Sequence, residues 1–343
     1  MKKLLNVLYV TKPDAYLSLD NKTVVVSVNK QDVFKIPLLN LEGIVSYSYS
    51  GASPALMFAC AENNISLCYM TENGRFLARV SGRVKGNVIL RKKQYQISDN
   101  IDDSAEIAKY MISAKAFNSR WVLERLIRDH PLRIDGHKLK KSSDEIYDIS
   151  KQVLYENDLE IIRGHEGRAA NCYFSVFDHL ILQQKEKFAF NGRNRRPPQD
   201  NVNALLSFMY SILANDVASS LEAVGLDPYV GFLHRDRPGR ISLALDLMEE
   251  FRAVIADRFV LTLINKKIVN ETHFIAKPNS AVELTDDARK IILNAWQEKK
   301  SEEIKHPYLQ EKIKWGLVPH VQAQLLARFI RGDLDAYPAF LWK

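Results

Sequence analysis

Three segments carry side chains whose types and spacing suit a bound divalent cation. In Arg163-Gly164-His165-Glu166-Gly167-Arg168, Glu166 heads an apolar stripe of Ala170, Tyr173, Phe177 and Ile181 at helical steps. A carboxylate on an apolar face is costly unless it is paired, and a metal ion would reverse that cost. On spacing alone the simpler reading is a first-turn glutamate that favours the helix dipole and faces water. In Gly231-Phe232-Leu233-His234-Arg235-Asp236-Arg237-Pro238, His234 offers an imidazole ligand. Arg235, Arg237 and Arg240 beside it can hold phosphate oxygens. In Asp246-Leu247-Met248-Glu249-Glu250, the three acids stand at i, i+3 and i+4, on one helical face. Their simpler reading is a solvated amphipathic face continued by Arg252 and Asp257.

Two further segments are cationic. Between Asn73 and Lys93 there are seven basic residues and no acidic one. In an extended strand Arg75, Arg79, Arg83 and Lys85 share one face, while Phe76, Ala78, Val80, Val84 and Val88 share the other. The reading is an apolar core face with a cationic outer face. It serves either to contact nucleic acid or to keep an edge strand from aggregating. Arg193, Arg195 and Arg196, ahead of Pro197-Pro198, form a basic loop that can clamp a nucleic-acid backbone or merely connect two elements.

The elements that must position these residues change along the chain. Residues 1–97 read mainly as short strands divided by turn signals such as Asp20-Asn21 and Asn29-Lys30. Asn73-Gly74 predicts a hairpin, and Ser53-Pro54 predicts the start of one helix over 53–63. The polar stretch 98–104 reads as a linker, with Ser104 a candidate N-cap. From 105 to 343 the apolar period is helical, beginning with Ile107, Met111, Ala114 and Phe117. The expected fold is α+β: a small N-terminal β-sheet or β-sandwich domain followed by a larger all-α domain. The tail from Ser301, including the final helix, either docks a partner or closes the helical core.

Composition narrows the function. The 343 residues, 46% hydrophobic and 26% charged, can bury a substantial core, which excludes a disordered or disulfide-stapled chain. The net charge is +7, and all but one unit of it lies in the first hundred residues, which favours a polyanion-binding surface there. Three cysteines without a CxxC argue for a reducing, cytoplasmic setting. The uncharged run Gly43–Ala61 is a poor membrane span because it contains Ser46–Gly51 and Pro54. No P-loop, GxGxxG, HExxH or GxSxG occurs, so ATP-driven and serine-nucleophile chemistry lack support.

In order and combination, several segments resemble the CRISPR-associated endonuclease/integrase, the larger subunit of the spacer-acquisition complex. They are Ser53-Pro54-Ala55-Leu56, Asn73-Gly74-Arg75-Phe76, Leu90-Arg91 with Gln94-Tyr95, and Arg163–Gly167. Arg195–Pro198, Asn203–Phe208, Gly225–Pro228, Gly231–His234 and Leu245–Arg252 complete the match. Tyr16–Asp20 and Tyr337–Trp342 look most like the type I-C branch.

The resemblance implies a β-rich dimerisation domain and a helical catalytic domain that holds Mg²⁺ or Mn²⁺. Glu166, His234 and Glu249 match the metal ligands, and Asp246 matches a supporting acid that remains open as a direct ligand. It further implies transesterification: a DNA 3′-hydroxyl attacks a phosphodiester at the edge of a repeat. Under this reading Arg75, Arg79, Arg83 and Lys85 grip the captured duplex. Arg193, Arg195, Arg196, Arg235 and Arg237 position phosphates, and Tyr9 is the wedge at the duplex end. The implied partners are double-stranded DNA, a second copy of the chain, and a small ferredoxin-like protein joined in a heterohexamer. A non-catalytic DNA-capture scaffold and a structure-specific repair nuclease are the competing readings.

Overall fold

The structure is a computed structural model, and it describes residues 6–63, 65–71, 76–80, 82 and 88–343. The chain forms two compact units. One comprises Met1–Lys85, Leu284–Ile304 and Lys314–Leu317; the other comprises Gly86–Glu283, Lys305–Ile313 and Val318–Lys343.

The first unit contains β1 (Val7–Val10), β2 (Tyr16–Asp20), β3 (Thr23–Val28), β4 (Gln31–Pro37), β5 (Gly43–Ser46), α1 (Pro54–Glu62), β6 (Ser66–Met70) and β7 (Phe76–Val80). Strands β2, β3 and β4 form an antiparallel meander. The other sheet has the order β1-β5-β6-β7, parallel until the antiparallel pair β6–β7. Both sheets and α1 feed one apolar cluster that includes Leu17, Val24, Val26, Ile44, Leu56 and Leu67. Helix α1 begins as expected: the Ser53 hydroxyl accepts from Leu56 N at 3.2 Å, and Pro54 occupies the first turn.

The second unit is helical. It contains α2 (Val88–Asp99), α3 (Ile101–Asp129), α4 (Gly136–Gln152), α5 (Leu159–Ser175), α6 (Asn201–Val224), α7 (Ser242–Met248) and α8 (Arg258–Asn265). The chain then sends α9 (Asp286–Ser301) to the first unit, where Gln297 Nε2 donates to Val7 O at 2.6 Å, and α10 (Val318–Arg331) to the second. Among the described residues only α6 is long and apolar enough to cross a membrane, and 72% of that stretch is buried in the protein.

The β-then-α architecture matches the expectation, but several boundaries move. Residues 88–99 are helix, not β, and the second unit begins at Gly86. The stretch 98–104 is helix on both sides of Asn100. Asn100 Oδ1, not Ser104, caps α3 by accepting from Asp102 N at 2.9 Å. The Ser104 hydroxyl instead donates back to Ile97 O at 2.9 Å, which makes the polar stretch a helix–helix corner. Strand β7 is described over Phe76–Val80, Val84 lies outside the described residues, and Val88 opens α2, so Val88 belongs to no strand face. As an edge strand β7 leaves Phe76 41% exposed and Ala78 exposed, and of its even-numbered face only Val80 packs against the core cluster. The Asn73-Gly74 turn lies outside the described residues; the antiparallel β6–β7 pair flanks it.

Candidate active site

Helix α5 carries Glu166. Asp158 caps it, accepting from Glu160 N at 2.7 Å, and Glu160 takes the first-turn position. Glu166 therefore sits two turns inside, which removes its reading as a first-turn glutamate. Arg163, one turn earlier, reaches Leu233 O with Nε at 2.9 Å and Nη2 at 2.5 Å. Leu233 itself packs in an apolar cluster with Ala105, Ala108 and Ile112 of α3 and Ile162 of α5. The Glu166 helix and the His234 loop are thus tied by both a charged clamp and shared core.

The loop before His234 is held from behind by α2. Gln94 Nε2 donates to Asp227 O and Val230 O, both at 2.8 Å, while its Oε1 accepts from Asp227 N at 2.9 Å. Ser98 Oγ donates to Gly231 O at 2.6 Å, and Arg91 Nε to Gly225 O at 3.1 Å. A buried glutamine with both ends satisfied fixes the backbone it spans.

The acids at 246, 249 and 250 are all buried, which contradicts a solvated face. They also do not act together. Helix α7 ends at Met248, and a π-helical segment, Arg252–Asp257, follows a turn. The three carboxylates consequently meet three different sets of partners.

Asp246 faces the His234 loop. Its Oδ2 accepts from Phe232 N (2.6 Å) and Leu233 N (2.9 Å), and its Oδ1 meets His234 N (3.0 Å) and His234 Nδ1 (2.5 Å). An ionised carboxylate offers about four acceptor positions. All four are occupied, so Asp246 has no lone pair left for a cation. Against an ionised Asp246 the His234 Nδ1 is the donor, which in a neutral imidazole leaves Nε2 as the acceptor. Gly231 permits this approach: a Cβ there would lie 2.8 Å from both Asp246 Oδ2 and Ser242 Cβ.

Glu249 faces Glu166 across a cation supplied by the protein. Lys115 of α3 ion-pairs with Glu166 Oε1 and lies 2.8 Å from Glu249 Oε2. Arg252 Nη1 binds Glu249 Oε1 at 2.7 Å. Burial alone would raise the Glu249 pKa; Arg252 and Lys115, aided by His234, overcome it and hold the carboxyl well below the ordinary carboxylate range. Glu249 Oε2 receives charge but no directional hydrogen bond. Glu250 turns away, bound by Tyr337 OH (2.7 Å), Phe340 N (2.7 Å) and Gln322 Nε2 (3.1 Å), and burial pushes it up to about 7. The chain's last residues therefore close the helical core.

A cavity of about 500 Å³ opens beside Glu166 and Lys115, lined also by Arg193, Arg195 and Arg252. Arg193 is braced against α6 through Asn203 Oδ1 (2.6 Å) and Ser207 Oγ (3.0 Å). Arg196, Arg235 and Arg237 are exposed, and Arg235 pairs with Glu160. In the first unit, Arg79 lies on β7 with its guanidinium 5.8 Å from the Phe76 ring centre. Arg75, Arg83 and Lys85 lie outside the described residues. Tyr9 is half-buried on β1, with Lys300 of α9 5.9 Å from its ring centre.

The donor set suits a hard divalent ion. Two carboxylates from separate segments already converge on one cation, and His234 contributes to holding the Glu249 pKa low. Yet among the described residues no three imidazole, thiol or carboxylate groups gather tightly enough to ligate one ion. Lys115 fills the gap. Lys115 was not singled out from the sequence, and Arg163 and Gln94 were named only within matching segments, without a role. The available signal for Lys115 was a lone lysine on the buried stripe of α3, four residues after Met111 and three after Ile112.

A sequence profile described as CRISPR associated protein Cas1 matches residues 8–298. The CRISPR-associated endonuclease Cas1 1 of Chlorobaculum tepidum is 47% identical over 343 residues, covering 100% of both chains. Among solved structures, a casposase bound to integration product superposes with a TM-score of 0.83 at 23% identity, over 98% of this chain and 94% of that one. A Cas6-RT-Cas1–Cas2 complex gives 0.81 at 21% identity, over 100% of this chain and 36% of that one. At these identities the two structures establish the fold.

Proposed function

This chain belongs to the Cas1 family of CRISPR-associated proteins, and from that premise we propose that it is a divalent-metal-dependent DNA endonuclease and integrase. It inserts short foreign DNA segments into a CRISPR array for antiviral defence, working in the cytoplasm. The observation that carries this reading is the convergence of Glu166 and Glu249 on one buried cation beside an arginine-lined cavity.

Glu166, Glu249 and His234 Nε2 would hold Mg²⁺ or Mn²⁺. Such an ion, when bound, lowers the pKa of an attacking hydroxyl and offsets charge growing on phosphoryl oxygens. The chain's own contribution is positional. Asp246 holds the imidazole in one tautomer and one direction. Arg252 keeps Glu249 ionised and pinned. Arg193 and Arg195 supply fixed positive charge where a phosphate would enter. Exchange of one phosphodiester for another needs no ATP, in keeping with the missing P-loop.

The partners under this reading are the captured duplex and the repeat, a second copy of the chain through the β-rich unit, and a small ferredoxin-like protein in a heterohexamer of type I-C. A protein of this fold is solved within a Cas6-RT-Cas1–Cas2 complex. The test is strand transfer of a labelled short duplex into a repeat-containing plasmid, with the partner and with Mn²⁺, Mg²⁺ or a chelator. Metal-dependent joining supports the reading. Binding without joining, in either metal and with the correct partner and repeat, favours the capture scaffold instead.

A further inference from the structure

We propose that Lys115 is an internal counter-ion that competes with the divalent cation for Glu166 and Glu249, so that loading the metal requires its ammonium to withdraw. The proposal rests on the metal reading above and concerns a residue outside that ligand set.

Lys115 is buried on α3, and its ammonium touches both carboxylates, Glu249 Oε2 at 2.8 Å. It contacts nothing else in the site with comparable geometry. Glu249 is buried and Glu166 is about a third exposed (31%), and two carboxylates sharing one ammonium would repel without a cation between them. Lys115 removes that penalty, which lets the site fold with its carboxylates already in place. The same contact blocks the site: a divalent ion needs the oxygens that the ammonium now holds, and two cations on one pair of oxygens repel. The side chain has room to withdraw, because Lys115 also lines the 500 Å³ cavity with Arg193 and Arg195. A lysine has four rotatable carbons and no planar fork to satisfy, so it can leave one partner for another more readily than arginine.

Only the fraction of molecules with the ammonium withdrawn can accept the ion, so the apparent dissociation constant is the intrinsic one divided by that fraction. Removing the ammonium removes the competitor. Lys115→Met and Lys115→Gln should therefore bind Mn²⁺ more tightly than the wild type, by about tenfold or more, in isothermal titration calorimetry without DNA. The same variants should melt at a lower temperature in chelator and gain more from saturating Mn²⁺ than the wild type does. Should Lys115→Met fail to fold, Lys115→Gln carries the comparison, since its amide can still donate to a carboxylate. Equal or weaker Mn²⁺ binding by the folded variants would overturn the competition. No Mn²⁺ uptake by the wild type or the variants would overturn the metal reading, and the competition with it.

Discussion

The contact between Asp246 and the His234 loop gives a sharp prediction. Asp246 accepts four hydrogen bonds, three from consecutive backbone N–H groups and one from the imidazole. In Asp246→Asn one oxygen becomes an amide that can only donate. With the amide toward Phe232 and Leu233, two backbone donors face it unsatisfied; with the amide toward His234, the imidazole can switch tautomer and accept, and one backbone donor is left unsatisfied. A buried unsatisfied donor costs about 1–3 kcal/mol, so roughly 1–6 kcal/mol of stability is expected to be lost. With its Nδ1 acceptor altered, His234 loses its fixed tautomer, which should reduce Mn²⁺ affinity and strand transfer by about 10–100-fold. Urea denaturation, Mn²⁺ calorimetry and the imidazole ¹⁵N shifts of His234 measure these separately. A variant as stable and active as the wild type would refute the positioning role. Loss of metal binding as complete as in Glu249→Ala would make Asp246 a ligand and refute it from the other side.

Two more outcomes follow from the same geometry. Gly231→Ala puts a Cβ 2.8 Å from Asp246 Oδ2 and from Ser242 Cβ; it should cost about 1–3 kcal/mol in urea denaturation and slow strand transfer, and a neutral result would show that the loop is not tightly held. Asp257 is pushed up to about 6 by burial, against the Tyr210 hydroxyl at 2.5 Å and the charges of Arg252 and Arg193. The native state then keeps a proton that the unfolded chain releases near 3.8, so this group's contribution to stability falls as pH rises from about 4 to about 6. The shift corresponds to about 3 kcal/mol, and Asp257→Asn should remove that slope. A stability difference between wild type and variant that stays constant over this range would contradict the assignment.

What the sequence revealed depended on the range of the interaction. Ser53-Pro54 announced α1 because capping is settled within four residues. The polar run 98–104 misled because a helix corner and a linker share a composition, and only the placement of Asn100 Oδ1 separates them. The cationic strand reading included Val88, which opens α2 instead, because alternation on paper does not show where a helix takes over. For Glu166, Glu249 and His234, spacing favoured the bland readings, and the resemblance pointed to the pairing. Burial then overturned the solvated face: Glu249 is 3% exposed. Lys115 stayed hidden because its partners lie 51 and more residues away in sequence. Gln94 was named in the resemblance, but its role stayed hidden for the same reason, since it binds a loop 133 residues on.

The central claim is that Glu166 and Glu249 act as one centre. The most direct test is strand transfer by Glu166→Ala, Glu249→Ala and the double variant, alongside duplex binding by fluorescence anisotropy. Residues that hold one ion fail as a unit, so each single substitution should abolish joining as fully as both together, while duplex affinity changes little. Measurable joining by either single variant, with a further loss in the double, would mean that the two carboxylates work independently and that no shared cation joins them.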